Sequence, residues 1–206
     1  MGFYFHRIPS FIKTSFSNHI WDRPCSEKKI YLTFDDGPTP EGADFILDVL
    51  TERKALATFF CLGEQVSKYP ELVKKIDEQG HLLANHGYRH LDGWTVSKKV
   101  YLDNKNKGDL ELSQVIEGEQ RLFRAPYGHF RKGESTVMWS LMSGDFDNNL
   151  SKEKCLSLLT SMTRSGDIIV FHDNKISFEK MKWVLPRYLE YCVRKGFQFD
   201  LITRNK

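Results

Sequence analysis

A parallel α/β fold is predicted by three features of this 206-residue sequence. Short apolar runs alternate with amphipathic segments in a repeated strand-then-helix order, the pattern of sheets whose strands run the same way. Polar clusters fall just after strands, where open sheets and barrels of this class place their sites. The length suits one domain with a sizeable core, and no repeat or low-complexity linker divides it. Periodicity alone leaves a barrel and a doubly wound sheet both open.

Residues 30–34 read as the first buried strand, bounded by the turn at Gly37-Pro38. Thr39 or Pro40 opens a helix over 41–53, with Phe45, Ile46, Val49 and Leu50 on one face. Residues 57–61 form the next strand. A second helix spans 66–79, with Val66, Leu72, Val73 and Ile76 inward, and stops at Gly80. Residues 82–85 are a short strand leading into two histidines. The charged stretch 95–120 is mostly helical, with an interruption at 104–108 read as a solvated loop. Residues 122–124 are strand-like, and 136–141 form another strand. Ser151 caps a helix over 151–162. Residues 167–171 form a strand running into His172-Asp173, followed by a helix over 180–195 and a last short strand over 197–202.

Composition narrows the function. A net charge of +3, from 30 basic and 27 acidic residues, gives little drive toward nucleic acid. The four cysteines, at 25, 61, 155 and 192, form no CxxC and are read as free thiols, which points to a reducing compartment. The first residues are apolar and aromatic (Phe3, Tyr4, Phe5, Ile8, Phe11, Ile12, Phe16) with His6, Arg7 and Lys13 mixed in. They lack the basic head, apolar block and small-residue site of a secretory leader. No window approaches the roughly 20 apolar residues of a membrane span. The expectation is an arm over residues 1–27 packed on a domain over 28–206, in a cytoplasmic protein. The alternative for the arm is an amphipathic element in peripheral contact with a membrane surface.

The chemistry lies in the run Tyr31-Leu-Thr-Phe-Asp-Asp-Gly-Pro38. Two adjacent carboxylates at a strand end repel unless a cation or proton separates them, and consecutive side chains there point apart. One of Asp35 and Asp36 can ligate a metal while the other faces water as a base. A plain turn, with both carboxylates accepting backbone hydrogen bonds, is the alternative. His86 and His90, four apart, can share one ion or can be two hydrogen-bonded structural histidines. No glutamate stands between them in the HExxH manner. Asp36 is the natural third ligand. Two imidazoles and a carboxylate suit one divalent ion, zinc by default and cobalt, manganese or nickel as alternatives.

With these motifs the chain resembles the polysaccharide deacetylase family, the carbohydrate esterases with the NodB homology domain. Five separated motifs match in order across residues 28–204. The resemblance implies a distorted, incomplete (β/α) barrel that removes acetyl groups from sugars in chitin, peptidoglycan or acetylxylan. Thr33 to Gly37 matches the first motif, which makes Asp35 the general base and Asp36 a metal ligand. His86 to His90 matches the second and places both histidines on the metal. Gly87 replaces a serine or threonine whose hydroxyl braces the loop, which implies either a weakened metal site or bracing passed to a neighbour. Arg124 to Gly128 matches the third: Arg124 holds the base, and the Tyr127 backbone N–H faces the oxyanion. In the fourth, Trp139 lines the acetyl pocket and Asp145 orients the catalytic histidine. There Phe146 stands for a common tryptophan and Met142 for a frequent aspartate. Val170-Phe-His172 matches the fifth, with Val170 on the pocket wall and His172 as general acid. His129, just past the third motif, is a weaker candidate for substrate contact.

The implied reaction is hydrolysis of an acetyl amide on an N-acetylglucosamine-containing oligosaccharide or polysaccharide, without a covalent intermediate or organic cofactor. Two alternatives remain at this level: an O-acetyl ester deacetylase using the same groups, and a glycan-binding protein that kept the pocket but lost turnover, motivated by Gly87 and Met142.

Overall fold

The computed structural model describes residues 4–117 and 122–202. Its elements run α1 (Ser10–Ser15), β1 (Lys29–Asp35), α2 (Pro40–Glu52), β2 (Ala57–Cys61), α3 (Gly63–Lys68), α4 (Pro70–Glu78), β3 (Leu82–Asn85), α5 (Lys98–Val115), β4 (Leu141–Met142), α6 (Lys152–Met162), β5 (Ile168–His172), α7 (Phe178–Arg194) and β6 (Gln198–Phe199). The sheet order is β3-β2-β1-β5-β4, every pairing is parallel, and β6 adds to the start of β1. Both faces of the central strands are covered, which is why β1 and β2 read as continuous apolar runs rather than alternating ones. Phe34, Phe59 and Phe171 from three neighbouring strands stack at 5.2 and 5.9 Å in the main core, under α2, α6 and α7.

The sheet does not close. Among the described residues the wall beyond β3 continues through single parallel bridges, Asn85 to Phe123 and Ile20 to Val137. The architecture is therefore a distorted, incomplete (β/α) barrel, and the doubly wound alternative falls. The expected strand over 136–141 shrinks to a bridge at Val137 and the two-residue β4, and that over 122–124 to a bridge at Phe123. The last strand keeps only Gln198–Phe199.

Two helices differ from expectation. The one expected over 66–79 is two, broken at Tyr69, whose ψ of 55° is not helical. Pro70 disfavours the α conformation in the residue before it and opens α4 itself. The interruption expected at 104–108 is absent, since α5 runs unbroken from Lys98 to Val115. Thr39 and Ser151 cap α2 and α6 through Gly42 N–H and Lys154 N–H, at 3.2 and 3.1 Å.

Residues 6–8 run beside β4, and residues 18–20 run beside 134–138. Met142 N–H donates to the His6 carbonyl (2.7 Å), and Ile8 N–H to that of Ser140 (3.0 Å). Arg7 forms an ion pair with buried Asp167 at 2.5 Å. The four cysteines are free, three of them buried and Cys25 partly so. Among the described residues no helix is long and apolar enough to cross a membrane.

Candidate active site

The parallel register sets the site. Asp35 at the end of β1 pairs with His172 at the end of β5, and Cys61 at the end of β2 pairs with Asn85, which leads into His86. The backbone turns over at Asp36, where φ is 78°. Aspartate tolerates this left-handed region better than most residues. The turn sends the two carboxylates different ways. Asp35 goes inward to Arg124, and Asp36 goes to the histidines.

Asp36 Oδ1 lies 3.6 Å from His86 Nε2 and 3.4 Å from His90 Nε2, and the three ligand atoms all fall within 4.8 Å of one another. These spacings are long for hydrogen bonds and right for groups facing one shared cation. Asp36 Oδ1 is also buried without a hydrogen-bond partner, while Oδ2 accepts from the Asn174 amide at 2.6 Å. A buried carboxylate oxygen left open toward two imidazoles fits a divalent ion. The histidines are prepared for it. His86 Nδ1 donates to the Arg124 carbonyl at 2.8 Å, which turns the Nε2 lone pair toward Asp36. His90 is pushed down to about 4 by burial and by His86, so its ring is neutral at pH 7. Burial pushes Asp36 upward, but His172, His86, His90 and the Asn174 amide outweigh it and hold the carboxyl below its usual range.

Arg124 is fully buried, a position that demands a complete set of acceptors. Its Nη1 donates to Asp35 Oδ1 at 2.6 Å and to Thr33 Oγ1 at 2.8 Å. Nε and Nη2 donate to the Val137 and Met138 carbonyls at 3.2 and 3.0 Å. The guanidinium also lies 4.1 Å from the Phe60 ring centre. Burial lowers its pKa, against the pull of Asp35.

On the other flank, His172 Nδ1 donates to Asp145 Oδ1 at 2.8 Å, and His172 N–H donates to Asp145 Oδ2 at 2.8 Å. Ser143 Oγ donates to the same carboxylate at 3.0 Å. Burial alone would lower the His172 pKa. The charges of Asp145, Asp36 and Asp35, with the Asp145 hydrogen bond, reverse this and raise it to about 9. His172 is therefore an imidazolium at neutral pH, with its side chain 16% exposed.

Tyr127 sits at φ 60° on the bend Pro126–Gly128, with its ring 4.3 Å from that of His90. Trp139 lies behind the same bend, its Nε1 buried without a partner. Val170 is buried in β5, on the face it shares with His172 two residues on. Phe146 packs on the His172 ring at 5.2 Å and Tyr4 on Phe146 at 5.2 Å, so the amino-terminal residues buttress this side. His6, His19 and His81 stand apart from the cluster; His6 touches the Met142 carbonyl and His19 the Thr136 hydroxyl.

Asn174 and Asn104 carried no signal in the sequence reading, whereas Asp173 reads there as a brace for its loop. Asn174 fixes Asp36. Asp173 accepts from Thr39 N–H and Oγ1 (3.0 and 2.5 Å) while its own N–H donates to the Asp35 carbonyl, tying the loops after β1 and β5 together. Burial raises the Asp173 carboxyl to about 6. Asn104, in α5, accepts from Arg89 N–H and donates to the Arg89 carbonyl, both at 2.9 Å, and its own carbonyl accepts from Tyr88 N–H. The loop bracing that a hydroxyl at 87 would supply thus comes from Asn104, together with Asn85 Oδ1, which accepts from Gly87 N–H at 2.6 Å.

Residues 22–140 match the family model described as polysaccharide deacetylase. The chain is 31% identical over 202 residues to a peptidoglycan-N-acetylglucosamine deacetylase of Bacillus cereus, covering 89% of this chain and 90% of that one. It is 52% identical over 157 residues to a chitooligosaccharide deacetylase of Rhizobium leguminosarum bv. trifolii, covering 71% and 72%. Its fold superposes on the crystal structure of a peptidoglycan N-acetylglucosamine deacetylase bound to a naphthyl N-hydroxybenzamide. That match has a TM-score of 0.85, 25% identity and 95% of each chain covered.

Proposed function

The chain belongs to the polysaccharide deacetylase family, and from that membership we propose that it is a metal-dependent hydrolase removing acetyl groups from N-acetylglucosamine units of a polysaccharide or glycoconjugate. The observation that carries this reading is the orphaned Asp36 Oδ1 facing His86 and His90, with a held base on one side and a charged acid on the other. Relatives whose names specify peptidoglycan and chitin oligosaccharides support the sugar class.

Asp36, His86 and His90 would hold one divalent ion, which we assign as zinc, ahead of cobalt, manganese or nickel. Such an ion supplies Lewis-acid activation of a water and of the acetyl carbonyl. The remaining work falls to the side chains. Asp35 takes the proton of the attacking water, and Arg124 keeps it aligned through its 2.6 Å contact. The Tyr127 backbone N–H meets the developing oxyanion. His172, kept protonated by Asp145, gives its proton to the departing sugar nitrogen. Trp139 and Val170 wall the acetyl methyl. Acetate and a free amino sugar result.

The test is acetate release from a panel of acetylated glycans by zinc-loaded protein, with mass analysis of the sugar product. Amide cleavage on N-acetylglucosamine oligomers is expected. Release only from O-acetyl esters would move the activity to the ester class. Tight glycan binding with no acetate from any substrate would make the chain a binding protein.

A further inference from the structure

One ring cluster beside the site has no part in the chemistry above. Trp94 is 64% exposed, although an indole ordinarily hides its apolar body. It is nonetheless held firmly. Its backbone N–H and His129 Nδ1 both donate to Asp92 Oδ1, at 2.9 and 2.6 Å, and its Nε1–H donates to the Phe130 carbonyl at 3.1 Å. The His129 imidazole stacks on the indole at 3.7 Å with the two planes 4° apart. Gly93 allows this closeness, because a side-chain carbon there would fall 2.2 Å from the His129 carbonyl. A parallel stack covers one face of the indole, so the exposure belongs to the other. The rings lead back to the metal cluster: His129 lies 5.8 Å from Tyr127, itself 60% exposed, and Tyr127 lies 4.3 Å from His90.

We propose that Trp94, with His129 and Tyr127, is a stacking platform for a second sugar ring, the one flanking the acetylated sugar at the metal cluster. This rests on the proposed function and sharpens its substrate to an oligosaccharide. One face of a β-linked pyranose is a patch of C–H bonds, whose positive edges meet the negative face of an aromatic ring favourably. A platform that is rigid before binding gives up little side-chain entropy on contact. An exposed tryptophan can also mark a membrane interface, where its polar edge sits among headgroups. Trp94 turns that edge inward to Phe130 and offers a flat face instead, which favours a sugar.

The experiment compares wild type, Trp94→Ala and Trp94→Phe as full chains. With zinc loaded, kcat/KM for acetate release is measured on the β-1,4-linked N-acetylglucosamine hexamer and on monomeric N-acetylglucosamine. On the metal-free proteins, hexamer affinity is measured by calorimetry. Contacts between aromatic faces and their partners are worth up to about tenfold in affinity. The alanine variant is expected to lose about tenfold in the hexamer-to-monomer ratio, mainly through KM, and about tenfold in hexamer affinity, with phenylalanine restoring most of both. An unchanged ratio and affinity in Trp94→Ala, with acetate still released, would overturn the platform and leave the deacetylase reading standing. If no substrate yields acetate, that reading falls instead. Calorimetry then decides the platform alone: a loss in alanine restored by phenylalanine supports it, and equal affinities reject it.

Discussion

Replacing Asp145 with asparagine isolates the acid half of the site. Asp145 is fully buried and meets His172 twice, through Nδ1 and through the backbone N–H, at 2.8 Å each. Asparagine keeps the shape and one acceptor oxygen but removes the charge. The His172 pKa then loses its principal upward push, while burial still drives it down. The distance from 6.5 to about 9 corresponds to roughly 3 kcal/mol in favour of the folded imidazolium. The sign follows from linkage. A group whose pKa rises on folding contributes stability that is complete below its unfolded value of 6.5 and fades as pH climbs through about 9.

Metal-free Asp145→Asn protein is therefore expected to be less stable than wild type by about 3 kcal/mol near pH 6, with the gap closing toward pH 10. Urea unfolding at a series of pH values reads this directly. Metal-free protein is the right sample, because a divalent ion beside Asp36 would itself lower the His172 pKa. In the loaded enzyme the alkaline limb of kcat should move to lower pH. Turnover at neutral pH should fall about 10²–10⁴-fold, the usual contribution of a positioned acid. Metal affinity by calorimetry should hold, since Asp145 touches none of the three ligands. A stability gap of the same size at every pH, or an alkaline limb that stays in place, would refute the assignment of His172 as a charged acid held by Asp145.

The two adjacent aspartates should separate cleanly. Asp35→Asn is expected to lower kcat about 10²–10⁴-fold with the metal retained, whereas Asp36→Asn should weaken metal binding itself, and elemental analysis beside kinetics distinguishes the two. Arg124→Ala should destabilise the fold by about 3–5 kcal/mol in denaturant melts, because it strands the buried Asp35 carboxylate and empties a fully packed position. Gly87→Ser, which restores the family's usual hydroxyl, should weaken metal binding in calorimetry rather than improve it: φ there is +87°, and a side-chain carbon would fall 2.5 Å from the Asn104 amide.

The parts of the site legible in the sequence were those set by local geometry. Adjacent carboxylates at a strand end and histidines four apart carry their spacing in the chain itself, and the structure places Asp36, His86 and His90 around one point. Strand-then-helix alternation was legible for the same reason, since β1 and β2 are buried on both faces and read as unbroken apolar runs. Partners fixed by distant pairing were not. Asn174 is 138 positions from the Asp36 carboxylate it holds, and Asn104 is 15 from the Arg89 backbone it clamps. Neither spacing has a period that a single sequence can display.

The misread segment at 104–108 shows why. Asn and Gly there lower helix propensity, and local preference alone argues for a break. The helix continues because these residues are its contact with the histidine loop. Asn104 clamps Arg89 from both sides, and the Lys105 carbonyl accepts from Asn85 Nδ2 at 2.9 Å. Gly108 is needed where the backbones converge, since a side-chain carbon would come 2.4 Å from Asn85 Oδ1 and 2.8 Å from the Gly87 carbonyl carbon. The absence of a hydroxyl at 87 belongs to the same packing. Gly63 N–H donates to the Gly87 carbonyl at 2.8 Å, and Asn104 fills the space where a side chain at 87 would stand. A residue that looks like a lost brace and a segment that looks like a helix break are two halves of one contact. The local cost in α5 is met by tertiary bonds that fix His86 and His90.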